Sequence, residues 1–301
     1  MSKLADQKKS QRDWSEFCAP GTNVRPHRAV LSNGVSLRVV SFYPASEHHP
    51  FPVVMVPGLV SVMLTFRKIL IELTRDFVVH YVETREKSSS VVPKGASYDV
   101  AAIGSDVVEI ISQMGLKHRQ YILFGASLGA TALLDQYRFL RAEPFCLVLL
   151  EPNAVFDYPR WSLPVIRFAA PLFRVIRPVA KWYLKNIRMN TQEDYEMYRI
   201  SSRALDAADP HKLRNTILAI SKYQIWDRLH PIATPALVVS ASKDTFHRHE
   251  DITRIVSLLG QCTHCDLEIH ERTHSAEFVE CVRQFVGQVG KTQPVDLQKG
   301  L

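Results

Sequence analysis

Short, almost wholly apolar runs recur along the chain and alternate with stretches of helical periodicity. Strands that are buried on both faces of a parallel sheet read as near-continuous apolar runs, so these segments are predicted to be such strands. The clearest helix between them spans residues 98–115, where apolar residues recur at helical spacing and Gly115 follows as a C-terminal cap. The alternation predicts an α/β fold with a mostly parallel sheet and right-handed crossovers. The runs are Val53–Val56, Phe77–Val82, Tyr121–Phe124, Phe145–Leu150 and Ala236–Ser240.

The order of these patterns divides the chain into a core, an inserted segment and two ends. The first residues are charged and irregular and the last are polar, which is typical of loose termini. Between two parts of the core, one long segment loses the alternation, looks helical and holds much of the Arg, Trp and Tyr. The predicted division is an arm over 1–26, a core over 27–153 and 231–290, a helical cap over 154–230 and a flexible tail over 291–301.

Both ends of the core carry further patterns. Residues 28–43 are predicted to form two strands joined through Asn33-Gly34, the commonest tight hairpin turn. Strand-like sequence returns at Leu267–His270, and an amphipathic helix is predicted over Ala276–Val289. The core is therefore expected to begin with a hairpin and to end with a helix.

Composition limits the class of protein. The 301 residues are 46% hydrophobic and 22% charged, as in an ordinary globular protein. No apolar stretch reaches the about 18 residues that a membrane-spanning helix needs. Because no apolar signal core is visible near the N-terminus, the five cysteines are expected to be reduced thiols in a cytoplasmic protein. The formal charge of +7 suggests an anionic surface or ligand without indicating nucleic acid.

The sequence predicts no metal, organic cofactor or nucleotide. Cys262-x-x-Cys265 lacks the second pair or the added histidines of a zinc site, and it does not open a helix as a redox pair does. It is interpreted as two incidental thiols at the edge of a strand. Neither GxxxxGK[ST] nor GxGxxG occurs, so nucleotide binding has no support.

The motif G-A-S-L-G at 125–129 lies between a predicted strand and a helix-like run, Ala130–Leu140. This arrangement exposes a nucleophilic serine at a sharp, strained turn, and the two glycines remove side chains where strand and helix pass closely. The N–H of Leu128 lies at the helix start, where donors are free and the dipole favours negative charge. Ser127 is therefore the candidate nucleophile.

With this motif, and with Val56-Pro57-Gly58, Ser242-Lys243-Asp244 and His274, the chain resembles lidded proteins of the α/β-hydrolase fold over roughly residues 28–290. The resemblance implies a triad in the chain order Ser, acid, His. Asp244 comes just after the apolar run at 236–240, where the family places the acid, and His274 precedes the last helix, where it places the base.

Two alternatives within the triad stay open. Glu151 ends the strand Phe145–Leu150, and some family members carry the acid at that strand end. His270 competes with His274 as the base, although a strand residue would point to one fixed face of the sheet.

Attack by a serine creates an alkoxide, which needs two hydrogen-bond donors. The Leu128 N–H supplies one. The resemblance places the second in the loop after Val53–Val56, as the N–H of Leu59. The family usually has His-Gly in this loop, whereas this chain has Pro57-Gly58, and the proline does not remove a backbone donor. The polar loop Glu83–Ser90 is expected to brace the site from behind.

The cap contains a basic amphipathic pattern over 171–188, in which cations share one helical face and apolar residues the other. Pro178 is expected to kink this helix or to begin a second one. A lid helix whose apolar face covers the active site is favoured, and contact with an anionic membrane surface is the alternative. The cations are Arg174, Arg177, Lys181, Lys185 and Arg188.

Trp161, Phe168, Phe173 and Trp182 in the cap predict an apolar pocket, which favours acyl chains or aromatic groups. The chain is expected to be a serine hydrolase of a hydrophobic carboxylic ester. The same triad would serve a thioesterase, an acyltransferase or a C–C hydrolase. Outside enzymes, the rival is a ligand sensor or scaffold that kept the fold. The sequence predicts no oligomeric state.

Overall fold

The computed structural model describes residues 13–156, 158, 161–183, 185–186, 195–229, 231–243 and 248–292. Within this part of the chain, eight strands form one sheet. The strands are β1 (Asn23–Val30), β2 (Ser36–Tyr43), β3 (Val53–Val56), β4 (Val79–Val82), β5 (Ile122–Ala126), β6 (Cys146–Leu150), β7 (Ala236–Ser240) and β8 (Cys262–Asp266).

The sheet order is β1-β2-β4-β3-β5-β6-β7-β8. β2 pairs antiparallel with both β1 and β4, whereas every pairing from β4 to β8 is parallel. The predicted α/β class with a mostly parallel sheet is therefore confirmed. The carboxyl ends of the parallel strands meet at one edge, where open α/β sheets build their sites.

Helices cover both faces of the sheet. Because side chains alternate across a strand, successive residues of β5 enter different hydrophobic clusters on the two faces of the sheet. Ile122 and Phe124 belong to the first cluster, and Leu123 belongs to the second. α1 and α9 contribute to the first cluster, and α2, α3 and α7 to the second. The helices are α1 (Arg67–Leu73), α2 (Val100–Gln113), α3 (Leu128–Gln136), α4 (Ser162–Tyr183), α5 (Tyr195–Ala207), α6 (Pro210–Ile220), α7 (His249–Leu258), α8 (His270–Thr273) and α9 (Ala276–Thr292).

The N-terminal hairpin turns at Asn33-Gly34 as predicted, and Gly34 has a φ of 79°, which a glycine adopts without strain. The preceding segment differs from the loose arm expected over 1–26. Residues 23–26 belong to β1, and Phe17 in a short 3₁₀ helix (Ser15–Phe17) is buried in the core. Residues 1–12 lie outside the described residues.

The last strand does not lie where the sequence predicted it. Leu267–His270 is not a strand, since β8 ends at Asp266 and His270 begins the short helix α8. β8 is an edge strand with exposed polar residues, so it lacks the apolar run that marks the buried strands. Both cysteines of the Cys262-x-x-Cys265 pattern lie within β8.

The segment 154–230 contains α4, α5 and α6, and α4 packs against both of the other two. The sequence predicted a kink or the start of a second helix at Pro178. In the structure, α4 is one helix that contains both Pro171 and Pro178. Each proline removes only one intrahelical donor, and the bonds around it continue the helix. No helix in the described ranges is long and apolar enough to cross a membrane.

Candidate active site

Ser127 occupies the sharp turn between β5 and α3. It has φ 48° and ψ −118°, outside the regions that side-chain-bearing residues favour, so its backbone is strained. Its own N–H donates to the Leu150 carbonyl at 2.8 Å, which ties the turn to the end of β6. The turn holds the serine between the two elements at the carboxyl edge of the sheet.

Glycines allow this turn to pack tightly against its neighbours. A Cβ on Gly125 would lie 2.6 Å from the Ala130 Cα, and one on Gly129 would lie 2.5 Å from the Val56 carbonyl oxygen. A Cβ on Gly58 would lie 3.0 Å from the Ser127 Cβ. The third contact places the loop after β3, residues 57–62, directly beside the serine.

Two backbone N–H groups next to Ser127 are available as donors. Leu128 is the first residue of α3 and is only 1% exposed. Within the described residues, neither the Leu128 N–H nor the Leu59 N–H donates to a protein atom. A buried N–H group is almost always paired in folded proteins, so the unused donor of Leu128, together with that of the half-buried Leu59 in the loop beside the serine, indicates a site for an anionic oxygen.

Asn153 is a contact of the serine that sequence reasoning missed. Its Nδ2 donates to the Ser127 Oγ at 2.7 Å. The Thr131 hydroxyl accepts from the Asn153 N–H at 3.1 Å and donates to its carbonyl at 2.7 Å, which fixes the loop after β6. The only signal in the sequence is a position shortly after Glu151, which does not identify the contact.

His274 and His270 lie side by side in the segment between β8 and α9, with ring centroids 4.5 Å apart. His274 is buried, and its ring centroid lies 5.6 Å from that of Phe66. Its Nδ1 lies 3.3 Å from the His270 carbonyl oxygen. An Nδ1–H that donates to this carbonyl leaves Nε2 as the basic nitrogen of a neutral imidazole.

The two alternative triad residues contact each other. Glu151, at the end of β6, has a φ of 47°, and its buried carboxylate lies 3.1 Å from the His270 Nδ1. Asp244 lies outside the described residues, which end at Lys243 on that side. The structure therefore brings together one carboxylate and two imidazoles near the edge of the sheet.

The loop Glu83–Ser90 is anchored by buried charges. Arg85 donates to both oxygens of Asp106, at 2.8 and 2.6 Å, and both side chains are almost fully buried. Arg85 also donates to the carbonyls of Ser97 and Ala102. Farther along, the Lys87 Nζ donates to the Gly58 carbonyl oxygen at 2.6 Å and pairs with Glu86 at 2.8 Å. The loop thus holds the residues beside Ser127.

Arg85→Met is expected to destabilise the fold by about 3–5 kcal/mol, because it leaves a buried carboxylate without its counterion. Burial already raises the pKa of Asp106, and Arg85 opposes this rise. Urea unfolding followed by circular dichroism measures the change. The exposed pair Arg75–Glu72 is the control, and Arg75→Met is expected to cost less than about 1 kcal/mol. Equal losses in the two variants would contradict the bracing role.

Two cations of the basic helix α4 pair with a neighbouring helix. Arg177 and Lys181 of α4 contact Asp206 of α5 at 3.3 and 2.7 Å, so these cations form partly exposed ion pairs with another helix. Val175, Val179 and Trp182 are 72%, 64% and 59% exposed. On the face expected to cover the active site, Val179 and Tyr183 are exposed and Ile176 is half-buried, so a lid over the active site stays a prediction. The α4 sequence alone does not reveal the anionic partner that α5 supplies. Arg188 and the side chain of Arg174 are outside what the structure describes.

The expected apolar pocket of cap aromatics is also not seen. Trp161, Phe168 and Trp182 are exposed to solvent, while Phe173 is half-buried. The cavity that contains His274 in its wall, about 280 Å³, is lined mainly by polar and charged side chains. The described ranges hold no cluster of three His, Cys, Asp or Glu side chains arranged for a metal ion.

No protein-family model and no curated protein matches the sequence. Three solved structures are similar over most of their length. A hydrolase from Pseudomonas aeruginosa PA01 has 22% identity and a TM-score of 0.69, and the match covers 90% of this chain and 99% of that one. The enol-lactonase from Burkholderia xenovorans LB400 has 16% identity and a TM-score of 0.70, covering 87% and 100%.

The esterase RhEst1 from Rhodococcus sp. ECU1013 has 18% identity and a TM-score of 0.70, covering 88% of this chain and 99% of its own. At these identities the likeness concerns the fold.

Proposed function

Because the chain has the α/β-hydrolase fold, we propose that it is a serine hydrolase that cleaves a carboxylic ester. One observation carries the proposal. Ser127 lies in a strained turn beside the Leu59 and Leu128 N–H groups, which bond to no other protein atom within the described residues. A nucleophile next to two unused donors is the arrangement that acyl transfer requires. The solved structures of similar fold that are named esterases support the choice of an ester.

The proposed mechanism has two halves. The Ser127 Oγ attacks the acyl carbon and passes its proton to His274, which returns the proton to the leaving alcohol. The alkoxide oxygen of the intermediate accepts from the Leu128 and Leu59 N–H groups. Water then attacks the acyl-enzyme by the same route, which releases the acid and restores the serine. Asp244 is proposed to hold the imidazole, and Glu151 with His270 is the alternative acid and base.

Hydrolysis of p-nitrophenyl esters of increasing acyl length tests the proposal. Turnover that varies with acyl length, with a burst of p-nitrophenol before the steady state, is the expected result. A folded chain that hydrolyses none of the series would favour the ligand-sensor or scaffold alternative. The thioesterase, acyltransferase and C–C hydrolase alternatives use the same triad, so thioesters and added alcohols belong in the same series.

Lys87 is proposed to position one oxyanion donor. In a trans peptide the C=O and N–H point in opposite directions. The Lys87 ammonium on the Gly58 carbonyl therefore fixes the direction of the Leu59 N–H and polarises it. The Lys87 side chain is 11% exposed and the Glu86 side chain 3%, so the contact is shielded from water.

Lys87→Met is expected to lower kcat by about 10- to 100-fold with little change in KM, because the donor acts mainly on the transition state. Lys87→Arg is expected to restore part of the loss, since a cation again meets the carbonyl. Steady-state kinetics on one p-nitrophenyl ester measures both. Lys94→Met, at an exposed lysine of the following loop, is the control. A rise in KM with unchanged kcat would contradict the positioning role.

The exposed side of α4 is proposed to contact an anionic lipid surface. It presents Val175, Val179 and Trp182 to solvent, and Arg167 and Lys185 are exposed beside this apolar surface. A helix with an apolar face, an aromatic residue and flanking cations lies well at the boundary of an anionic bilayer. Contact would thus use the apolar surface of α4 rather than Arg177 and Lys181, which pair with Asp206.

Phe168→Ser combined with Trp182→Ser is expected to weaken binding to phosphatidylglycerol vesicles by at least about tenfold, because each exposed aromatic ring would be buried in the interface. Co-sedimentation with anionic and with neutral vesicles measures it. Phe139→Ser removes an exposed phenylalanine outside α4 and is expected to change nothing. A wild-type chain that stays in solution with anionic vesicles would end this proposal.

A further inference from the structure

We infer that the cavity beside His274 binds an anionic group of the substrate, a carboxylate or a phosphate. The inference rests on the proposed hydrolase function, and it names the class of substrate that the active site would bind. The cavity of about 280 Å³ contains His274 in its wall, so an anion bound there would lie on the side of the proposed base.

Four cations and two carboxylates line this cavity, together with Leu64, Thr65 and Ile200. Arg67 and Lys68 come from α1, and Arg199 and Arg203 from α5. The opposing carboxylates are those of Glu16 and Glu271. The lining is therefore net positive, which favours an anion over a neutral or cationic group.

Two of these cations have no partner among the residues that the structure describes. Arg67 donates from its Nε to the Glu16 carbonyl at 2.9 Å, and Lys68 lies 3.9 Å from Glu271. In contrast, within the described residues neither Arg199 nor Arg203 forms a hydrogen bond or ion pair. On the same helix α5, the Asp206 carboxylate pairs with two cations of α4. Both arginines are exposed in the cavity lining, so their positive charge is accessible to a ligand.

The two guanidinium groups share one face of α5, because Arg199 and Arg203 are four positions apart. A guanidinium is a planar fork of donors that matches the oxygen pair of a carboxylate or phosphate. Ile200 and Leu64 add apolar surface for the carbon atoms next to that group. The cavity volume fits a small anionic headgroup better than a long acyl chain. The expected substrate is therefore an ester that carries an anionic group, which would lie on the side of His274.

A matched pair of esters tests the inference. p-Nitrophenyl valerate and mono-p-nitrophenyl glutarate have acyl chains of equal length, and only the second carries a terminal carboxylate. Wild type is expected to prefer the glutarate ester by at least about tenfold in kcat/KM. Arg199→Gln combined with Arg203→Gln is expected to remove this preference by raising KM for the glutarate ester far more than KM for the valerate ester. Glutamine keeps the helix propensity, so the variant is expected to fold.

Arg141→Gln is the matched control, because it removes an exposed arginine that lines a different cavity. Competition against valerate hydrolysis separates the two sources of the anion. Stronger inhibition by glutarate indicates a carboxylate substrate, and stronger inhibition by inorganic phosphate indicates a phosphorylated one. No inhibition by either ion, or equal hydrolysis of the two esters, would overturn the inference while the hydrolase proposal stood.

Isothermal titration of glutarate and of phosphate makes the test independent of catalysis. Binding of one anion to wild type and to Arg141→Gln is expected, with affinity at least about tenfold lower in the double variant. A chain that hydrolyses no ester but shows this arginine-dependent binding would overturn the proposed function alone. Absence of binding, or equal affinity in all three proteins, would overturn the anion site.

Discussion

Ser127→Ala is expected to lower kcat/KM for ester hydrolysis by at least roughly 10⁴-fold. The substitution removes the only atom that can form the acyl-enzyme in the proposed mechanism, while the oxyanion donors at Leu59 and Leu128 remain. Those donors still polarise the ester for attack by water, which sets the residual rate. The fold should be unaffected, because alanine fits wherever the serine Cβ already lies.

Hydrolysis of one p-nitrophenyl ester by wild type and by the variant measures this effect. Ser112→Ala, at an exposed serine of α2, is the control and is expected to retain full activity. Circular dichroism and the unfolding midpoint confirm that both variants are folded. Activity of Ser127→Ala within about tenfold of wild type would show that another residue is the nucleophile.

His274→Ala is expected to lower kcat/KM by roughly 10⁴-fold, whereas His270→Ala should cost about tenfold or less. His274 is the buried ring in the cavity wall, and the His270 carbonyl on its Nδ1 side leaves Nε2 as the base. The smaller loss at His270 reflects its contact with the His274 ring and with Glu151.

The pH dependence of kcat/KM gives a second readout for the two histidines. Wild type and His270→Ala should share one acidic limb from the essential imidazole, and His274→Ala should lack it. Glu151→Gln and Asp244→Asn complete the comparison of the acids. Large losses in His270→Ala and Glu151→Gln, with a small loss in His274→Ala, would assign the alternative pair to the reaction.

Local sequence signals predicted the buried strands and the turn at Ser127. β3, β6 and β7 are buried at every position, so their apolar runs are visible without knowledge of the fold. The G-x-S-x-G pattern is equally local, because its two glycines are required by contacts within the turn and with the end of β3. The hairpin at Asn33-Gly34 follows from the same kind of short-range preference.

Contacts between distant segments could not be predicted in this way. The exposed edge strand β8 has no apolar run, so the sequence placed the strand at Leu267–His270 instead. The orientation of α4 depends on Asp206, which lies on another helix. Asn153 donates a hydrogen bond to Ser127, 26 positions away in the chain, and Lys87 donates one to Gly58, 29 positions away. No periodicity or motif encodes such pairings.

Fluorophosphonate labelling followed by peptide mass spectrometry tests the central claim most directly. A fluorophosphonate reacts only with a serine whose proton is removed by a neighbouring base and whose developing oxyanion is held by donors. The account predicts a single adduct on the peptide that contains Ser127, and no adduct in Ser127→Ala. A folded wild-type chain that remains unlabelled, or an adduct on a different serine, would contradict the assignment of Ser127 as an activated nucleophile.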